Sequence, residues 1–118
     1  MDKKEFIREY KLIGCWYSEQ AESILKENPN NEIIEITAEQ KDEYKRRNNM
    51  NTFPQIFYVY DGQEYKIGGY DDLTNILKYI NGCKKMNEQK YNKIKDEINI
   101  KEYKIFLRLL LFLCNNKS

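Results

Sequence analysis

The stretch Gln55-Ile56-Phe57-Tyr58-Val59-Tyr60-Asp61-Gly62-Gln63-Glu64-Tyr65-Lys66-Ile67 constrains the fold more than any other part of the chain. Its first run is rich in aromatic and β-branched residues, which suit a pleated, half-buried strand. Asp61-Gly62 follows, a pair that tolerates the positive φ angles of a two-residue hairpin turn. Gln63 to Ile67 then returns beside the first run. An antiparallel hairpin is thereby specified, and the rest of the chain has to cover at least one of its faces.

The remaining periodicities supply that cover. Residues 5–13, EFIREYKLI, read as a strand, and Ile33-Ile34-Glu35-Ile36 as another. Between them Ala21, Ile24 and Leu25 recur at helical spacing over Ser18 to Glu27, and the turn-forming NPNN at 28–31 ends that helix. Residues 38–48, AEQKDEYKRRN, are polar helix formers suited to an exposed helix. After Gly68-Gly69, Asp71-Asp72 open a helix that carries Leu73, Ile76, Leu77 and Ile80 on one face. The order up to residue 81 is βαβαββα, which predicts an α/β fold with helices flanking the sheet.

With 118 residues, 41% of them apolar, the chain is long enough for one core. Its 20 basic and 19 acidic residues are interleaved, so the positive stripe that nucleic acid requires is missing, and Lys45-Arg46-Arg47 reads as a solvated helix end. No nucleic-acid partner is expected. There is no histidine, which excludes Cys–His and Ser–His pairs and the zinc-protease helix; catalysis has to use thiol, carboxylate, amine or phenol. Cys15, Cys83 and Cys114 are odd in number and widely spaced, and the start, MDKKEFIREY, is charged where a signal peptide would be apolar. These features suggest a reducing, cytoplasmic setting and argue against a disulfide scaffold or a zinc site.

Beyond Cys83 lysine and asparagine dominate until the apolar run Ile105 to Leu113, about nine residues where roughly 20 are needed to cross a bilayer. Tyr91, Ile94, Ile98, Ile105, Leu109 and Phe112 approximate one helical stripe. An extra helix covering exposed core is the expected role; a dimer seam or a membrane-surface contact are the alternatives. The chain divides accordingly into a domain over 1–82 and an extension over 83–118.

Cys15 falls at a strand-to-helix junction. A thiol at a helix N-terminus faces unpaired N–H groups and the positive end of the dipole, which favour the thiolate that attacks a disulfide. Three segments then occur in order: Cys15-Trp16-Tyr17-Ser18, Thr52-Phe53-Pro54-Gln55-Ile56-Phe57 and Ile67-Gly68-Gly69-Tyr70-Asp71-Asp72-Leu73. Joined to the element order, they make residues 5–81 resemble the glutaredoxin family.

The resemblance implies a thioredoxin-like fold with a four-stranded mixed sheet, glutathione as co-substrate, and glutathionylated proteins or small mixed disulfides as partners. Cys15 is then the catalytic nucleophile. Ser18 stands where dithiol members carry a second cysteine, so the implied mechanism is monothiol, with Cys83 a resolving thiol only if it reaches Cys15 within disulfide geometry. Thr52, Phe53 and a cis Pro54 form one side of the implied glutathione site, Phe53 pairing its backbone with the cysteinyl unit, and Tyr17 forms a wall. Gly69, Tyr70 and Asp71 lie at the γ-glutamyl end, where an Asp side chain receives the ammonium group.

For the glycyl carboxylate the family usually places a lysine three residues before the cysteine, a position held here by Leu12. Lys11, one step earlier, serves only if the chain bulges there, and Lys41 matches a second carboxylate contact of the family. Trp16 departs from the usual proline or small residue. The resemblance also implies an alternative, a [2Fe–2S] carrier that holds its cluster between two subunits through the active thiolate and two glutathiones, although such carriers have glycine where Trp16 stands. A non-catalytic adaptor working through its tail is a third reading.

Overall fold

The computed structural model describes residues 4–28 and 30–115. Its first elements follow the expected order: β1 (Glu5–Leu12), α1 (Trp16–Leu25), β2 (Asn31–Ile36), α2 (Lys41–Asn48), β3 (Gln55–Tyr60), β4 (Gln63–Gly68) and α3 (Tyr70–Leu77). The strands form one mixed sheet in the order β2-β1-β3-β4. β1 is parallel to β2 and antiparallel to β3, and β3 is antiparallel to β4. A parallel pair needs a crossover connection, and α1 provides it. At the hairpin, Asp61 and Gly62 take φ angles of 52° and 84°, the double positive φ that the Asp-Gly pair was expected to supply.

Period-two alternation sends each strand's apolar residues to two different faces. Ile7, Ile56 and Tyr58 face one layer, together with Ala21 and Leu25 of α1 and Leu73 and Ile76 of α3. Tyr10 and Phe57 face the other, where Ile36 and Phe53 join them and Tyr44 of α2 packs alongside. The result is an α/β sandwich of helices on both sides of a four-stranded sheet.

The C-terminal segment completes the first layer. It contains α4 (Glu88–Ile94) and α5 (Tyr103–Asn115), with 3-10 segments at Ile80–Lys85 and Lys95–Glu97. Phe106, Leu109 and Leu110 of α5 are fully buried in the same cluster as Ile7 and Tyr58. The rings of Phe112 and Tyr58 lie 5.9 Å apart. Arg108 stacks 4.0 Å above the Tyr60 ring and lies 3.8 Å from Glu5, whose carboxylate accepts the Tyr58 hydroxyl hydrogen bond. The expected extra helix over exposed core is therefore present. Among the described residues no helix is long and apolar enough to cross a membrane.

One expectation for this segment needs correction. Tyr91, Ile98, Leu109 and Phe112 are buried, yet they do not belong to one helical stripe. The backbone is extended at Ile98 (φ −123°, ψ 136°), and buried Ile98 and Ile100 alternate with exposed Asn99 and Lys101. The Asn99 amide donates to the Ile67 carbonyl of β4 at 2.9 Å, and the Tyr91 hydroxyl donates to the Ile100 carbonyl at 2.7 Å. Apolar residues spaced three and four apart continue straight through this extended piece, so periodicity alone does not locate the break.

Candidate functional site

Cys15 is the N-cap of α1, with extended backbone (φ −92°, ψ 122°). Gly14 before it has φ 87°, a left-handed value that glycine adopts without steric cost. The Cys15 N–H donates to the Leu12 carbonyl at 3.1 Å, and the Cys15 carbonyl accepts the first helical bond from Glu19 at 3.0 Å. Ser18 is fully buried, and its hydroxyl oxygen accepts from the Leu12 N–H at 3.2 Å. That bond ties the first turn of α1 to the end of β1, so the thiol is held by a short, doubly anchored junction.

The Cys15 thiol is half-buried and donates to the Phe53 carbonyl at 3.9 Å. The Phe53–Pro54 peptide is cis. Beside them a cleft of about 300 Å³ is lined by Tyr17, Met50, Thr52, Phe53, Gly69, Tyr70, Asp71 and Asp72. Six of the residues expected from sequence thus share one concavity, with Cys15 joined to it through Phe53 and Pro54 buried next to Phe53. A more apolar hollow of about 220 Å³ lies between α1 and α3. Cys15 is not among its lining, so the chemistry is sought at the first cleft.

The two aspartates divide their work. Asp72 accepts from the Gly69 N–H at 2.9 Å and so caps α3. A Cβ on Gly68, whose φ is +125°, would lie 2.2 Å from an Asp72 carboxylate oxygen, whereas one on Gly69 would meet nothing closer than 3.7 Å. The close approach therefore belongs to Gly68. Asp71, in the first turn of α3, is exposed and lines the cleft.

Neither lysine expected at the site lines the cleft. β1 keeps regular register with β2 through Lys11 and Leu12, so the bulge that Lys11 would need is absent. Its ammonium is instead held by Glu22 at 2.7 Å, Glu19 at 3.0 Å and Glu35 at 3.7 Å. Donating to Glu22 and Glu19 raises the Lys11 pKa above the ordinary lysine range, and accepting from Lys11 depresses that of Glu22. Lys41 is exposed at the first position of α2.

Three aromatic rings cluster at the start of α1, which directly follows Cys15 in sequence. Trp16 meets Tyr17 edge-on with centroids 5.0 Å apart, and both approach Tyr70, at 6.1 and 5.8 Å. Trp16 is 61% exposed and Tyr17 53%. Large apolar groups left in water beside a thiol are a surface on which a partner's apolar atoms would lose water on binding.

Sequence reading missed Met50 in the lining and the buried Glu9 in β1. Nothing marks Met50 in a loop of small polar residues. Glu9 sits at a strand position whose neighbours along the same face are Ile7 and Lys11, and it is fully buried with both carboxylate oxygens lacking a hydrogen-bond partner among the described residues. Burial first, then the charge of Glu22, pushes its pKa up to about 8, with Lys11 opposing.

No family model matches the chain, and no curated protein matches it.

Proposed function

We propose that the protein is a thioredoxin-like, glutathione-dependent thiol–disulfide oxidoreductase of glutaredoxin type, reducing glutathione mixed disulfides through Cys15 alone. One observation carries the reading: the Cys15 thiol at the N-cap of α1 lies 3.9 Å from the carbonyl that precedes a cis proline, at the edge of an open cleft. The four-stranded order β2-β1-β3-β4, with one parallel pair, supports the fold assignment.

The chemistry balances without a second active thiol. The Cys15 thiolate attacks the glutathionyl sulfur, the mixed disulfide bond breaks, and the target's thiolate leaves and takes up a proton. A second glutathione thiolate then attacks the sulfur of glutathione held on Cys15 and frees the enzyme thiolate. Net, one mixed disulfide and one glutathione become one target thiol and one glutathione disulfide. Ser18, buried and accepting from Leu12, is consistent with this one-thiol route.

In this reading glutathione adds as a short strand against the Phe53 backbone. Its γ-glutamyl carboxylate meets the N–H groups at the start of α3, and its ammonium group meets Asp71. Among the described residues none that lines the cleft is cationic, and Lys11 is held by three carboxylates. Lys41, exposed at the start of α2 and, among the described residues, not held by carboxylates as Lys11 is, is therefore the lysine assigned to the glycyl carboxylate in this reading. Trp16, exposed beside the thiol, weighs against a cluster shared between two copies.

The test is a coupled mixed-disulfide reductase assay with glutathione, comparing the wild type with Cys15→Ser. Turnover should fall to the uncatalysed background in the variant. Equal turnover in both would remove the proposal, and visible absorption that follows anaerobic iron–sulfur reconstitution and requires Cys15 would favour the cluster carrier.

A further inference from the structure

A second pair of sulfurs lies away from the cleft. Cys83, in the 3-10 segment after α3, is 2% exposed, and Cys114, in the last turn of α5, is half-buried. The segment packs directly on α5, and both cysteines belong to one apolar cluster. Both thiols are free, and they lie close enough for Cys114 to act on the ionisation of Cys83. Cys15 is engaged elsewhere, against Phe53.

Two features make this more than a pair of small core residues. Cys114 is the more exposed of the two and Cys83 is buried, which suits them to the roles of attacking and resolving thiol. The elements they sit on are otherwise held together by packing, so a covalent link between them would change what holds α5 to the domain.

We propose that Cys83 and Cys114 form a second redox site, a dithiol that a low-molecular-weight disulfide closes to an intramolecular disulfide fastening α5 to the segment after α3. The Cys114 thiolate attacks one sulfur of glutathione disulfide, that S–S bond breaks, and one glutathione leaves as thiolate. Cys83 then gives up its proton, attacks the Cys114 sulfur and expels the second glutathione. Each cysteine loses one proton and one electron, and two glutathione molecules carry them away. The neighbouring Cys114 thiol and burial push the Cys83 thiol's pKa up, which suits it to the second step, where attack is intramolecular.

The experiment uses full-length Cys15→Ser, so that only the pair reports, equilibrated with glutathione and its disulfide at increasing oxidised fraction. Samples are quenched with an alkylating agent and mapped by mass spectrometry. Both thiols should disappear together into one Cys83–Cys114-linked peptide, and the unfolding temperature should rise by roughly 5–15 °C, as for a loop of about thirty residues. Adding Cys114→Ser should abolish both effects. A persistent glutathione adduct on Cys114 with Cys83 free, or both thiols untouched when glutathione is almost wholly oxidised, would overturn the proposal. So would a Cys15–Cys83 link in the wild type run in parallel. The readout does not involve turnover, so its failure leaves the role proposed for Cys15 standing.

Discussion

Glu9, buried in β1 near Glu22 and Lys11, carries an electrostatic cost of the fold. Its carboxyl titrates near 8 in the folded chain against an ordinary 4.5, because the ionised form would be buried without a hydrogen bond and close to Glu22. Between those values the folded chain keeps a proton that the unfolded chain has released, so stability falls as pH rises through that window, by up to about 1.4 kcal/mol per pH unit, and levels off above it. Glu22 is depressed and Lys11 raised, so both titrate outside the window and leave it clear. Denaturant unfolding across it should give a falling midpoint for the wild type and a flat one for Glu9→Gln; parallel slopes would rule the account out. Gly68 makes a steric prediction of the same scale. Gly68→Ala puts a methyl group 2.2 Å from Asp72 at a φ of +125°, so a loss of about 1–3 kcal/mol is expected, against under about 1 kcal/mol for Gly69→Ala. Thermal melts of the two variants decide it. Of these residues only the glycine pair was legible in sequence, and even there the sequence did not say which glycine is obligatory. That depends on where Asp72 returns to cap, while Glu9 was hidden because alternation reports which face a residue takes and not whether that face is wet.

The start of α3 joins structure to binding, and its two aspartates separate the roles. Asp72→Ala removes the acceptor of the Gly69 N–H, and loss of such a cap costs about 1 kcal/mol of stability. Asp71→Asn touches an exposed side chain, so stability should stay within about 0.5 kcal/mol. If Asp71 receives the ammonium group of glutathione, KM for a glutathionylated substrate should rise roughly tenfold in Asp71→Asn, the scale of one charged hydrogen bond, with kcat little changed. Unchanged KM would take Asp71 out of the site. At this scale the sequence was most informative where a local rule decided the outcome: the Asp61-Gly62 hairpin, the period-two strands, the helix opened by acidic residues. Helix α1 begins at Trp16, directly after Cys15 at the expected strand-to-helix junction, with Cys15 itself as the N-cap. Lys11 was offered to a ligand on condition of a bulge, but its partners Glu19 and Glu22 come from α1 and Glu35 from β2. Such tertiary pairing leaves no trace in local spacing.

Residues 5–81 carry the cleft, yet the core that supports it does not stop there. Ile7, Ile56, Tyr58 and Ile67 of the sheet share one cluster with Phe106, Leu109, Leu110 and Phe112 of α5, and Asn99 bonds the linker to β4. Removing everything after residue 82 would return that face of the sheet to water, at about 25 cal/mol for each Å² of apolar surface uncovered. Domain stabilities are only about 5–15 kcal/mol, so the shortened chain is expected to lose its cooperative transition. A milder change tests the same coupling without truncation. Leu109→Ala empties a fully buried site on α5 and should cost about 2–5 kcal/mol. Since α5 and the sheet form one cluster, far-UV circular dichroism and hydrogen exchange at the β1 and β3 amides, followed against denaturant, should shift to the same lower midpoint. If helix signal were lost first while the β1 and β3 amides stayed protected up to the wild-type midpoint, the C-terminal segment would be a separately melting cover. The fold of the catalytic half would then have to be argued without it.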